Sequence, residues 1–329
     1  MKIHLKYLLI AFVLYPLSPV FAENDTRFDF NLWASSGQTK WRHDASMLNP
    51  DYGVPSSELD YQNVNSNVAE IRASRELNNA HQVRLTIGTG FIDSGTLVDD
   101  DYVSASGAVT YNTTQTGAHR FSRTHSDIEG NGLFYLKGEF LPAGLAYKSG
   151  LMELQASFGL HYWEEEYVAT GIRQIECTAL THPDLNCAPA GTVAYTGITV
   201  ITNTVQWTGL GLGFDSKFDL IGRLELNIDF TYYPILSLVN EDIHHLRTDL
   251  NQDPSVRMTG NGTGYDLFAG FNVQFRKELS AHIGYRVWER RVNDQVITFY
   301  DAYGGSSSAN LMDFTTRREG FMGGITLIF

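Results

Sequence analysis

Cysteine, positive charge and long hydrophobic runs are all scarce in this chain. Two of the 329 residues are cysteines, and 24 Lys and Arg stand against 37 Asp and Glu, for a formal net charge of −13. Nucleic-acid binding depends on a basic surface, so this acidity argues against a nucleic-acid partner. After the first stretch of the chain, no apolar run approaches the roughly 20 residues that a membrane-spanning helix needs.

The start of the chain has the pattern of a secretory signal peptide. Lys2 and Lys6 precede a short apolar run, and a cleavage site follows Ala22. The run is too short to anchor the chain as a helix, for which roughly 20 residues are needed. We therefore expect residues 1–22 to be a signal peptide and residues 23–329 to form a single β domain outside the cytosol.

The two cysteines, Cys177 and Cys187, lie close together in a polar stretch. In a secreted protein this arrangement predicts a disulfide in a loop. Two free thiols are the alternative. A catalytic thiolate is disfavoured, because neither cysteine has the electropositive surroundings that would lower its pKa.

The rest of the chain alternates between apolar and polar residues with a period of two. In residues 224–232 every second residue is apolar, and the residues between are Glu225, Asn227, Asp229 and Thr231. The same alternation recurs in residues 152–162 and 265–276. No helical period competes with it, so the pattern predicts strands with one apolar and one polar face.

A soluble β-sandwich would also show alternating strands, but three features favour a membrane barrel. The apolar stripes reach the roughly 9–11 residues that a tilted strand needs to cross a bilayer, whereas sandwich strands are nearer 5 or 6. Many Tyr and Phe lie near strand ends, where barrels carry aromatic girdles. The chain ends on the alternating Ile325, Leu327 and Phe329, which resembles the insertion signal of outer-membrane barrels.

About ten strands are predicted, which suits a closed barrel with both ends of the chain on one side. They are residues 27–42, 57–76, 81–92, 128–141, 150–171, 196–218, 222–239, 262–277, 280–296 and 317–329. Short links are predicted at residues 78–80, 142–148, 220–221 and 277–279, and the other links are long and polar. The predicted fold class is an all-β, ten-stranded antiparallel transmembrane β-barrel of the outer membrane, with short periplasmic turns and long extracellular loops.

Two charged clusters fall on predicted extracellular loops. Asp99, Asp100 and Asp101 follow the third strand, and Asp242 and His244 follow the seventh. Crowded carboxylates cannot all ionise freely, so one of them can hold a water and take its proton. A histidine beside a carboxylate supplies the other half of a general acid/base arrangement. Taken alone, each cluster also fits a solvated, calcium-binding or metal-binding loop.

Four segments, taken in chain order, carry a family resemblance. They are Ser36 to Lys40, Ser57 to Tyr61, Gly95 to Tyr102 and Asp242 to His244. This order resembles the omptin family of outer-membrane aspartic-type proteases, which implies a ten-stranded barrel whose rim holds a water between two acidic pairs. On the matching positions, Asp99 and Asp101 would bind the water, and His244 would be the base oriented by Asp242. The resemblance implies no metal and no other cofactor in the chemistry.

The same resemblance suggests substrate contacts and lipid partners. Candidate substrate contacts are Ser122, His125, Asn240 and Trp41, the last two at positions where the family has acids, so a preference for basic substrates is not predicted. Outer-membrane lipid is an implied partner, and lipopolysaccharide an implied requirement. Residues 159–167, however, carry acids where the family's lipid-binding pattern has a basic residue.

The leading functional hypothesis is a surface-exposed omptin-like endopeptidase that acts on a peptide or protein substrate. The second is an omptin-like barrel without catalysis that acts as an adhesin or binding protein. A small porin fits less well, because long polar side chains would fill the lumen of a barrel this narrow.

Overall fold

The computed structural model describes residues 26–77, 81–104, 118–130, 132–178 and 187–329. The strands of this described part are β1 (Thr26–Asp44), β2 (Tyr52–Glu76), β3 (Gln82–Val103), β4 (His119–Glu129), β5 (Gly132–Leu141), β6 (Ala146–Ser149), β7 (Met152–Cys177), β8 (Val193–Ile221), β9 (Leu224–His244), β10 (Val256–Arg276), β11 (Leu279–Tyr300) and β12 (Ser306–Ile328). A single 3-10 turn covers Ala143–Leu145. The predicted signal peptide and the predicted link at 78–80 lie outside the described residues. Within the described ranges, no helix is long and apolar enough to cross a membrane.

The strands close into a ring of ten. β4 and β5 lie end to end, and each pairs with β3 on one side and with β7 on the other. Together they therefore form one strand of the ring. The short β6 pairs with β7 alone. β1 pairs with β2 and also with the last strand, β12, which closes the sheet without an open edge. The predicted ten-stranded antiparallel barrel is confirmed.

Short turns lie at one end of the barrel, here called the turn end, together with the first described residue, Thr26, and the last, Phe329. Thr26 and Phe329 are joined there by backbone hydrogen bonds. The predicted short link at residues 220–221 is displaced: β8 continues to Ile221, and the turn consists of Gly222 and Arg223. Gly222 has a φ of +60°, the left-handed region that glycine adopts without strain. The longer connections lie at the opposite end, here called the loop end.

Side-chain polarity reverses along the barrel axis. In the half near the turn end, large apolar side chains face outward and remain exposed, among them Leu32, Phe91, Leu160, Ile283 and Phe321. In the half near the loop end, apolar side chains face inward and form one buried cluster, while outward positions such as Lys40 and Arg42 are polar. The first arrangement suits a wall surrounded by lipid and the second a wall surrounded by water.

Every strand of the ring continues further toward the loop end than predicted. β3 ends at Val103 and β9 at His244, so Asp99–Asp101 and Asp242–His244 lie on strands. Their predicted placement on loops was wrong. The strands remain paired beyond the lipid, but there their apolar side chains face inward instead of outward. Strand ends predicted from outward apolar stripes therefore fall where this reversal begins.

Charged side chains pair across the lumen of the membrane-crossing half. Arg286 donates from Nη1 to Glu70 Oε2 at 2.9 Å and from Nη2 to Asp266 Oδ2 at 2.7 Å. Lys137 also pairs with Asp266. Fully buried aromatic rings accompany this network: Trp33, Tyr135, Trp163 and Trp288. The lumen is filled at this level, which argues against the small-porin alternative.

The predicted disulfide between Cys177 and Cys187 is present. It ties the loop end of β7 to the connection that follows it. Cys187 packs against Val103 and Phe121, two buried residues at the loop ends of β3 and β4. The disulfide therefore stiffens the barrel wall beside the lumen opening.

Candidate active site

A cavity of about 690 Å³ occupies the loop end of the lumen. Asp99 and Asp101 on β3 and His244 on β9 line it. Going round the ring, β3 and β9 are separated by β4, β7 and β8. Closure of the barrel thus brings the two predicted clusters to one cavity, whose volume lies in the usual range of ligand pockets, roughly 300–1,000 Å³.

The three consecutive aspartates do not share one face of β3. Asp99 and Asp101 are two residues apart and face the cavity, whereas Asp100 faces the other way. Arg123 donates from Nε and Nη2 to the two Asp100 oxygens, each at 2.6 Å. Asp100 is therefore an ion-pair partner within the wall. Ser57 on β2 has its Oγ 3.5 Å from Asp99 Oδ1, within hydrogen-bonding reach of the Asp pair.

Burial and mutual repulsion hold protons on the Asp pair. Burial, and then the charges of Asp101 and Asp100, raise the pKa of Asp99 well above its ordinary value. Burial raises the pKa of Asp101 to about 6, although a hydrogen bond from Ser57 and the charge of Arg247 oppose it. Two neighbouring carboxyls with raised pKa values can share one proton, which lets the pair both donate a hydrogen bond to a water and accept one from it.

The His244 imidazole is neutral at physiological pH. Burial, and then the charges of Arg247 and His245, lower its pKa to about 4. Its backbone N–H donates to Ser255 Oγ at 2.9 Å, which fixes the end of β9. Within the described part of the chain, the ring itself makes no hydrogen bond. A ring nitrogen is thus free to accept a proton from a water or substrate in the cavity.

Asp242 is fully buried and two residues nearer the turn end than His244. Its Oδ1 accepts a hydrogen bond from Asn203 Nδ2, and Asn203 also donates to Asn240 Oδ1 at 3.0 Å. Its Oδ2 has no hydrogen-bond partner among the described residues, and burial raises the pKa of Asp242 to about 7. The described side chains show no hydrogen bond between Asp242 and His244. The charge of Asp242 instead reaches Asp99, whose pKa it raises.

Tyr61 links the two sides of the site, although the sequence offered no role for it beyond its place in the segment Ser57 to Tyr61. Its fully buried ring stacks on Tyr167 with centroids 5.0 Å apart. Burial, and then the charges of Asp242 and Asp99, raise the pKa of Tyr61 well above its ordinary value. Its hydroxyl has no hydrogen-bond partner among the described residues. Tyr61 is therefore a protonated donor within electrostatic reach of both clusters.

The four predicted substrate contacts are dispersed. Trp41 lines the cavity. Asn240 is fully buried beside Asp242. Ser122 is also buried, and its Oγ accepts a hydrogen bond from Gln174 Nε2 at 3.0 Å. His125 follows Thr124, which lines the cavity, so on the same strand His125 faces outward. Trp41 alone of these four has surface in the cavity.

His43 and Arg247 also line the cavity, although nothing in the sequence singled them out. Burial lowers the pKa of His43 to about 4, and its Nδ1 has no partner among the described residues. Arg247 donates from Nε to Asp249 Oδ1 at 2.8 Å, and its charge lowers the pKa of both His244 and Asp101. A single histidine on a strand and an arginine in a turn belong to no motif, so only the structure could assign them to the cavity.

Comparison with solved structures finds the same architecture in the outer-membrane protease OmpT of Escherichia coli. The two align with a TM-score of 0.70 and 13% sequence identity, over 95% of this chain and 99% of that chain. The barrel has the OmpT fold. This likeness confirms the predicted outer-membrane barrel class and, at this identity, concerns the fold alone.

Two transporter-type barrels align far less well with this OmpT-like barrel. A Pseudomonas aeruginosa FadL homologue gives a TM-score of 0.27 at 9% identity, over 93% of this chain and 90% of that chain. The Ralstonia pickettii toluene transporter TbuX gives 0.26 at 8% identity, over the same shares. Scores this low carry no argument about the chain. No protein-family model and no curated protein sequence matches it.

We expect Asp242→Asn to stabilise the OmpT-like barrel at alkaline pH. The pKa of Asp242 is about 7 in the folded chain and about 4 when unfolded, so the wild type loses stability as pH rises from about 4 to about 7. An amide does not titrate. The variant should therefore gain about 4 kcal/mol relative to wild type between pH 4 and pH 8.

The measurement is unfolding of the detergent-folded barrel at both pH values. Asp127→Asn, at an exposed position of β4, is the matched control and should show no such pH-dependent gain. An equal effect of Asp242→Asn at pH 4 and pH 8 would contradict the raised pKa.

Proposed function

We propose that the chain is an omptin-like, aspartic-type endopeptidase of the outer membrane, which hydrolyses peptide bonds with a water held by Asp99, Asp101 and His244. One observation carries the proposal: two acids on β3 and a histidine on β9 line a single cavity from different parts of the ring. Their ionisation states at neutral pH are those that water activation needs. The OmpT-like fold supports the proposal as an analogy.

The proposed reaction follows from those states. Asp101, ionised, accepts a hydrogen bond from the water, and Asp99, protonated, donates one to the substrate carbonyl. Neutral His244 takes a proton as the water oxygen attacks the carbonyl carbon, and it returns that proton to the leaving amine when the C–N bond breaks. Asp242 would serve as a positioning residue, acting on the Asp pair through its charge.

In this proposal the site faces the cell exterior. Outer-membrane barrels carry short turns on the periplasmic side and long loops outside, and the cavity lies at the loop end. A peptide or protein substrate would reach it from the medium. Outer-membrane lipid, including lipopolysaccharide, would surround the apolar outer wall of the turn-end half.

The deciding experiment is cleavage of a varied peptide library by the refolded full-length barrel, with and without lipopolysaccharide. Mass spectrometry of new peptide ends should detect products with the wild type and none with the double variant Asp99→Asn/Asp101→Asn. Cleavage confined to the samples with lipopolysaccharide would support that lipid as a required partner. If the wild type releases no more product than the double variant in either lipid condition, the endopeptidase proposal fails.

We expect kcat/KM to rise with pH along a curve whose midpoint is near pH 6. Asp101, with a pKa of about 6, must be ionised to accept a hydrogen bond from the water, whereas His244, with a pKa of about 4, is already neutral. Replacing Arg247 by Gln removes a charge that lowers the pKa of Asp101, so the midpoint should move upward. A midpoint near pH 4, or one unmoved in Arg247→Gln, would contradict this assignment.

A second candidate function is binding without catalysis, as an adhesin or binding protein. It is favoured by the sequestration of Asp242, whose carboxyl is bonded to Asn203 and forms no hydrogen bond with His244 in the described residues. Attachment of barrel-expressing cells to a host or envelope partner would then be unaffected by Asp99→Asn. Replacement of residues 177–187 should abolish that attachment.

A further inference from the structure

We propose that the loop-end cavity accepts an uncharged, apolar side chain of the substrate, next to the scissile bond. This inference rests on the proposed endopeptidase function and deepens it by naming the class of peptide that is cut. Three features of the cavity carry it: the apolar side chains on its wall, the small number of charged groups there and the position of the reacting groups.

Apolar side chains make up about half of the cavity wall. Buried or half-buried side chains on it include Trp41, Leu59, Leu97, Phe121, Val256 and Phe299. These residues come from β1, β2, β3, β4, β10 and β11, so apolar side chains lie on several sides of the space. Burial of a Leu or Phe side chain against such apolar surface stabilises a complex, and about 690 Å³ is room enough for one.

Few charged groups line the wall. Among the described residues, Asp99 and Asp101 supply its only carboxyl groups, and the raised pKa values of both favour a proton shared between them. Arg247 also lines the wall but is already paired with Asp249, and the two histidines are neutral. No further acid lines the described wall to pair with a substrate Lys or Arg, and a buried cation without a partner is strongly unfavourable.

The position of the reacting groups determines which substrate residue enters the cavity. The carboxyls of Asp99 and Asp101 and the imidazole of His244 lie on the same wall as the apolar side chains. A peptide carbonyl held by these groups has its own or its neighbouring side chain inside the cavity. The apolar surface would therefore select the residue beside the bond that is cut.

The first test is the sequence preference of the refolded full-length wild type on a peptide library derived from a proteome. We expect cleavage sites enriched in Phe, Leu, Ile, Met or Val beside the scissile bond, with basic residues depleted at least tenfold. Cleavage concentrated beside Arg or Lys would overturn the inference while leaving the endopeptidase proposal intact.

The second test is a switch of specificity at Leu246, a partly exposed residue of the cavity wall. Leu246→Glu supplies the acid that the described wall lacks, and Leu246→Gln is its matched control of similar size. The Glu variant should cleave beside Arg or Lys at least tenfold better than the Gln variant does. Equal cleavage beside basic residues by both variants would count against a charge-selected cavity.

A binding measurement separates failure of this inference from failure of the proposed function. Calorimetric titration of folded His244→Ala uses two blocked pentapeptides, Ala-Ala-Phe-Ala-Ala and Ala-Ala-Arg-Ala-Ala. At least tenfold tighter binding of the Phe peptide supports the inference even if the wild type cleaves nothing. Tighter binding of the Arg peptide, or no binding of either, overturns it.

Discussion

Replacement of His244 by Ala is expected to reduce peptide cleavage by about a thousandfold, because general-base catalysis contributes roughly 10²–10⁴ to such reactions. The imidazole is the neutral base of the loop-end cavity, and it makes no hydrogen bond within the described residues that a structural role would require. The folded barrel should survive the change, since the strand end is held by the backbone bond to Ser255.

The neighbouring histidine provides the matched control. His245 is exposed, does not line the cavity and has its Nε2 2.9 Å from Thr202 Oγ1. His245→Ala should keep activity within about twofold of wild type, since exposed substitutions away from a site have small effects. Initial rates on the best library peptide decide the comparison, with circular dichroism to verify folding. Comparable losses in both variants would refute the assignment of His244 as the base.

Replacement of Arg286 by Ala is expected to destabilise the barrel by about 3–5 kcal/mol, the usual effect of removing one partner from a buried ionic network. Arg286 is almost completely buried and bonds both Glu70 and Asp266. Without it, Glu70 keeps a hydrogen bond from Tyr135 and Asp266 keeps Lys137. One negative charge is then uncompensated in the half of the lumen that lies within the membrane.

Arg291, on the same strand, is the control for this stability prediction. It faces outward, is more than half exposed and pairs with Glu289 at 3.0 Å. Exposed pairs of this kind contribute about 0–1 kcal/mol, so Arg291→Ala should be nearly neutral. Urea unfolding of both variants in lipid vesicles gives the comparison. Equal stability of Arg286→Ala and wild type would mean that the network is not needed to hold the lumen closed.

These two predictions concern different halves of one barrel. The half near the turn end is polar inside and apolar outside, and its interior ion pairs fill the lumen. The half near the loop end is apolar inside and polar outside, and it surrounds the cavity with a buried wall. Catalysis in the proposed form depends on this second half, because burial there shifts the pKa values of Asp99, Asp101 and His244.

Much of the fold was predictable because its signals are local. Alternation along Leu224 to Tyr232 and similar stretches predicted strands, and the alternation of short and long links predicted the two ends of a barrel. The secretion signal, together with the close spacing of Cys177 and Cys187 in a polar stretch, predicted their disulfide. The strand ends were predicted wrongly at the loop end, because the apolar face turns inward where the wall leaves the lipid and the outward stripe is lost.

The sequence by itself determined that strands would form, that they would close into a membrane barrel and that acids and a histidine would lie near one end. Tertiary structure alone decided which of them meet. It oriented the Asp100 side chain into the barrel wall and placed Asp242 against Asn203. It also brought Tyr61, His43 and Arg247 to the site. The physical reason is ring closure: periodicity fixes which face of a strand a residue occupies, whereas its neighbours across a lumen depend on strand order and register, which no local pattern encodes.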